Sequence, residues 1–87
     1  MKPDLTVKII QSYIKQSLIE VAHIDSDHIN EDIAFDSYNL DSMTLTYLQA
    51  DIEERLQGAT RIEMDELFQH NTISKLAIYL HNKIQSR

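Results

Sequence analysis

The stretch Tyr38-Asn39-Leu40-Asp41-Ser42-Met43-Thr44 sets an asparagine and an Asp-Ser pair directly before a run with helical periodicity. Asparagine enters positive φ more readily than most residues, so Asn39 can make the tight turn that glycine otherwise makes. The chain can then turn sharply from a loop into a helix that begins at Ser42. At such a start the Ser42 hydroxyl is expected to face solvent, beside backbone N–H groups with no helical partner and the positive end of the helix. An anionic phosphodiester on that oxygen would be electrostatically favoured. Taken alone, an Asp-Ser pair more often means a serine that only caps its helix.

Outward from this junction, the downstream run is expected to be helical from Ser42 to near Gln57. Its core stripe is Leu45, Leu48, Gln49, Ile52 and Leu56, and Gly58 supplies the left-handed conformation that closes it. Upstream, His23 to Leu40 reads as a long connection, with Ile24, Ile29, Ile33, Phe35 and Leu40 placed to pin it across the molecule. Before it, Val7, Ile10, Ile14, Leu18 and Val21 recur at helical spacing, predicting a first helix that starts after Asp4, with Asp4 as cap, and runs to about Ala22. Beyond Gly58, a short helical turn around Met64 to Phe68 precedes a last helix from about Ile73 to Ile84. That helix is capped by Thr72 and buries Ile73, Leu76, Ala77, Leu80 and Ile84. With one glycine, one proline and few β-branched alternations, the expected fold is an all-α bundle of three longer helices and one short third helix, a single domain over residues 1–87.

Composition narrows function. No cysteine is present, so neither a disulfide framework, a thiol nucleophile nor a cysteine zinc site can be built. Eight basic against fourteen acidic residues give a net charge of -6, which disfavours nucleic acid or an anionic membrane as partner and favours a basic protein surface. The same acidity would also serve to keep a small domain soluble. Apolar runs are short and the N-terminus has no signal-like hydrophobic region, so a cytoplasmic protein without membrane spans is expected. His23, His28, His70 and His81 form no i, i+4 pair, and no metal site is expected. With neither a Gly-x-Ser-x-Gly elbow nor a glycine-rich phosphate loop, nothing in the chain supports intrinsic catalysis.

Phe35, Leu40-Asp41-Ser42-Met43, Leu67-Phe68 and Thr72-Ile73-Ser74-Lys75-Leu76-Ala77-Ile78-Tyr79-Leu80 follow one another in an order and spacing that resembles the acyl carrier protein family, in particular the carrier domains of polyketide synthases. The resemblance covers nearly the whole chain. It implies a four-helix acyl-carrier-like bundle in which Ser42 is esterified by 4'-phosphopantetheine from coenzyme A, and Asp41 is recognised by the phosphopantetheinyl transferase. It also implies that the terminal thiol of the arm carries acyl or polyketide intermediates as thioesters to a ketosynthase, acyltransferase or tailoring enzyme. Where the family usually has glycine, two residues before the aspartate, this chain has Asn39. The Gly-Gly-His/Asp-Ser pattern of peptidyl carriers is absent, which shifts the reading from aminoacyl toward acyl cargo. Discrete fatty-acid and D-alanyl carriers are the nearest rivals.

A carrier needs a docking face, and a monomer suits an arm that must visit several enzymes. At about 100° per residue, Met43, Tyr47, Ala50 and Glu54 lie opposite the core stripe of the second helix, with Asp51 beside them. Met43 and Tyr47 are expected to act as apolar anchors, with Asp51 and Glu54 steering basic partners. The contrasting reading is an unmodified helical adaptor that uses this same face and has no need of the Ser42 hydroxyl.

Overall fold

The computed structural model of the protein describes residues 5–86. Four α-helices account for most of them: α1 (Val7–Val21), α2 (Ser42–Arg55), α3 (Met64–Gln69) and α4 (Ile73–Gln85). Two 3₁₀ turns, Ser26–His28 and Phe35–Tyr38, interrupt the long α1–α2 connection, and no strand occurs among the described residues.

Apolar periodicity explains the packing. Ile10, Ile14 and Leu18 of α1, Leu48 and Ile52 of α2, and Ile73, Leu76, Ala77 and Leu80 of α4 are sealed from solvent and form one core. α1 packs along both α2 and α4, whereas the short α3 leans mainly on α2. Leu56, Ile62 and Leu67 close the core around the α2–α3 connection, and Leu5 closes it at the start of the chain. Burying a leucine or isoleucine side chain contributes roughly 1.5–3 kcal/mol, so this shared core dominates the stability of the fold.

The helix ends depart from the sequence expectation in two places. Asp4, the expected cap of α1, lies outside the described residues; Thr6 caps instead, its hydroxyl accepting the Ile9 N–H at 3.2 Å. α2 ends at Arg55 rather than near Gln57 because the left-handed turn is made first by Gln57, at φ 57°, and continued by Gly58. The Gln57 N–H donates to the Glu54 carbonyl and the Gly58 N–H to the Glu53 carbonyl, so two orphan carbonyls are satisfied there. Thr72 caps α4 as expected, accepting the Lys75 N–H at 3.1 Å.

The α1–α2 connection is stitched down. Phe35 is buried and Ile24, Ile29 and Leu40 pack against the core. Two backbone bonds tie the segment across the α3–α4 junction, Phe35 N–H to the Asn71 carbonyl at 2.8 Å and Ser74 N–H to the Glu31 carbonyl at 3.0 Å. Glu31 also pairs with Lys15 of α1 at 2.5 Å. The approach to Ser42 is thereby fixed from both sides of the bundle.

Candidate cofactor attachment site

Asn39 terminates the second 3₁₀ turn in the left-handed conformation, φ 57° and ψ 41°, with its N–H on the Asp36 carbonyl. The backbone then extends through Asp41, whose carboxylate accepts the Thr44 N–H at 2.7 Å and caps α2. The cap is therefore Asp41, and Ser42 is the first helical residue. Its side chain is exposed and its hydroxyl has no hydrogen-bond partner, nor do the N–H groups of Ser42 and Met43. The Thr44 backbone N–H, followed by the Thr44 side chain, holds the Asp41 carboxyl below the usual carboxylate range, so a fixed negative charge stands beside the serine. An unbonded hydroxyl at a helix start, with free N–H groups next to it, fits a phosphodiester formed on its oxygen.

Around this point the residues expected to form a docking face divide. Met43 and Tyr47 are 64% and 60% exposed, and Ala50 and Glu54 lie open on the same side of α2. Asp51 does not join them. It turns along the flank of α2 to α1, where its Oδ2 accepts the hydroxyl of fully buried Ser17 at 2.6 Å and Arg55 Nε at 2.7 Å. Partial burial would raise its pKa, but the hydrogen bonds from Ser17 and Arg55, with the Arg55 charge, leave it lowered. The role expected for Asp51 as a free steering charge is thus corrected: the carboxylate is an inter-helix tie, because a buried hydroxyl and a cation already occupy it. Glu53, on the opposite flank, accepts the Ile62 N–H at 2.7 Å, and Gln49, the polar member of the core stripe, donates to the Ile62 carbonyl.

Two features escape the sequence reading. Phe68 of α3 is 63% exposed, which its place one step beyond buried Leu67 on a short helix would have indicated. A cavity of about 290 Å³ opens between α2, α3 and the loop, walled by Phe35, Leu40, Leu45, Leu67 and Phe68, with Asp36 and Asn71 as its polar members. Leu40 and Leu45 bracket Ser42 in sequence, which sets the cavity at the same junction as the free hydroxyl. Among the described residues no group of histidine, aspartate and glutamate side chains could hold a metal ion, and no helix is long and apolar enough to cross a membrane.

A small helical bundle that leaves one serine unbonded at the start of a helix, next to an apolar hollow, has the form of a protein that is modified and then presented to others. Residues 12–80 match the family model of the phosphopantetheine attachment site; this is most of the chain, and the protein belongs to that family. It is a carrier protein whose cofactor is covalently attached 4'-phosphopantetheine. Among solved structures it is similar to a free-standing peptidyl carrier protein from an uncharacterized Acinetobacter baumannii secondary metabolic pathway. That match has a TM-score of 0.81 at 23% identity, covering 93% of this chain and 99% of that one, and establishes the shared fold. No curated protein matches the chain.

Proposed function

We propose that Ser42 is the attachment residue and that the protein is a non-catalytic acyl carrier which presents thioester-bound acyl or polyketide intermediates to partner enzymes. The observation that carries this reading is the division between Asp41, which caps α2, and Ser42, whose hydroxyl is thereby left exposed and unbonded. When bound, the 4'-phosphopantetheine arm supplies reach and a terminal thiol that holds the cargo. The chain supplies the rest: Ser42 Oγ loses its proton and bonds to the phosphorus that bears the pantetheine of coenzyme A, as the pyrophosphate bond of coenzyme A breaks and adenosine 3',5'-bisphosphate leaves; the adjacent N–H groups favour the resulting anion, and Asn39 makes the left-handed turn into the helix.

The exposed strip of Met43, Tyr47 and Ala50, with Glu54 at its edge, is the docking face we assign to the phosphopantetheinyl transferase and to a ketosynthase, acyltransferase or tailoring enzyme. Asp41 stands beside Ser42 as the charge for a basic transferase to recognise. Intact-mass measurement after incubation with coenzyme A, Mg²⁺ and a broad-specificity transferase tests the site. The wild type is expected to gain one phosphopantetheine, and Ser42→Ala, which is expected to fold normally, none. Loading of the variant would move the site elsewhere, and failure of the wild type under conditions that load a control carrier would favour the unmodified adaptor.

Aminoacyl or peptidyl cargo is the second reading, favoured by the solved neighbour being a peptidyl carrier. The Asp-Ser-Met motif without a Gly-Gly-His element supports acyl cargo instead. Offering the loaded protein to acyltransferases and to adenylating enzymes in parallel separates the two, and also the fatty-acid and D-alanyl alternatives.

A further inference from the structure

Six residues cannot hold a helix by their own hydrogen bonds, since nucleation consumes most of the gain, so α3 needs an external anchor. Its fully buried apolar residue is Leu67, with partly buried Met64 also packed on the core. The other anchor is polar and comes from α4. Glu66, on α3, takes the Glu63 N–H at 2.7 Å, closing the capping box at the start of the helix. The same carboxylate accepts Lys83 Nζ at 2.9 Å and the Tyr79 hydroxyl. Lys83 also donates to the Arg61 carbonyl at 2.7 Å, just upstream of α3. At the far end, the His70 ring stacks on the Tyr79 ring with centroids 3.9 Å apart and planes 14° from parallel. Two residues of α4, one turn apart, therefore grip α3 at both of its ends.

The side of α3 that is not gripped walls the cavity: Leu67 and Phe68 face Leu40 and Leu45 across it. The segment entering α3 leaves α2 through two successive left-handed residues, Gln57 and Gly58. We propose that the Glu66–Tyr79–Lys83 cluster is a clasp that sets how far α3 stands from the loop and α2, and hence the width of the apolar cavity at the Ser42 junction. The apolar contacts of Leu67 and Met64 are few, and the charge-assisted hydrogen bonds of the cluster add directional hold that they lack. This inference is independent of what is attached to Ser42.

Amide hydrogen exchange on the unloaded 87-residue chain tests it, with Tyr79→Phe and Lys83→Met made separately. Tyr79→Phe keeps the ring for His70 and removes one hydrogen bond; Lys83→Met keeps most of the stem and removes the cation. Exchange at the Leu67 and His70 amides is expected to quicken by roughly tenfold in either variant, with Ile14 and Leu18 in α1 unchanged. The methyl resonances of Leu40 and Leu45, across the cavity and away from the substitution, are expected to shift. Equal quickening in α1 and α3 would reduce the cluster to a contributor to global stability and overturn the clasp. So would unchanged α3 exchange, or quickened α3 exchange with static Leu40 and Leu45 methyls.

Discussion

At position 39 the backbone sits at φ 57° and ψ 41°, and everything downstream depends on the chain turning there. Asparagine reaches this region at modest cost, glycine at almost none, and a β-branched side chain only with strain. Asn39→Gly should therefore leave stability nearly unchanged, whereas Asn39→Val should lower it by about 1–2 kcal/mol, read from urea denaturation midpoints. A valine variant as stable as the wild type would mean that the turn does not need the left-handed residue. Asp41 and Ser42 divide the tasks that follow. The carboxylate satisfies Thr44 at 2.7 Å, and the hydroxyl, relieved of capping, faces solvent. Aspartate and serine cap helices about equally well, so the pair alone could not say which of the two would be left free.

Between elements, the contact of α1 with α2 is polar as well as apolar, and it turns on one carboxylate. Ser17 is fully buried, and its hydroxyl donates to Asp51, which Arg55 neutralises from the same helix and Glu20 steadies from α1 through Arg55 at 3.2 Å. Asp51→Ala leaves that hydroxyl buried without an acceptor and should cost about 1–3 kcal/mol. Ser17→Ala combined with Asp51→Ala should cost less than the sum of the two single changes, as a thermodynamic cycle would register; strict additivity would show that the two do not interact. Helical stripes were legible because apolar residues repeat with the helical period, and Leu48, Ile52, Leu76 and Leu80 are buried where the pattern puts them. Thr72 was legible as a cap for a similar local reason. Asp51 was not, because its angular position falls on the flank of α2, where the choice between solvent and neighbour is made by a buried serine on another helix. Nor were the two 3₁₀ turns in the α1–α2 connection: the second is held by buried Phe35 and its N–H on the Asn71 carbonyl, the first is flanked by Ile24 and Ile29 packed on the core, and neither follows a periodic pattern.

On the scale of the whole molecule, acid should act through Glu66 first. Burial on its own would raise its pKa, yet the hydrogen bonds from the Glu63 N–H, the Tyr79 hydroxyl and Lys83, with the lysine charge, bring it down from 4.5 to about 2. A carboxylate depressed in the folded state contributes stability that is complete above its unfolded value and is lost as pH falls through the folded one. The loss should therefore fall between pH 4.5 and pH 2, amount to roughly 2–3 kcal/mol, and be largely absent in Glu66→Gln, which is already weakened at neutral pH. Denaturation curves of the two proteins at pH 6 and pH 2.5 decide the matter: parallel losses would remove Glu66 from the acid response. The clasp has one more consequence, and it is optical. The chain has four tyrosines and no tryptophan, and Tyr79 is the one whose hydroxyl is bonded to a carboxylate while its ring lies on an imidazole. Both contacts are lost if α3 opens, so the fluorescence contribution of Tyr79, read as the difference between wild type and Tyr79→Phe, is expected to change with α3 opening and needs no attached dye.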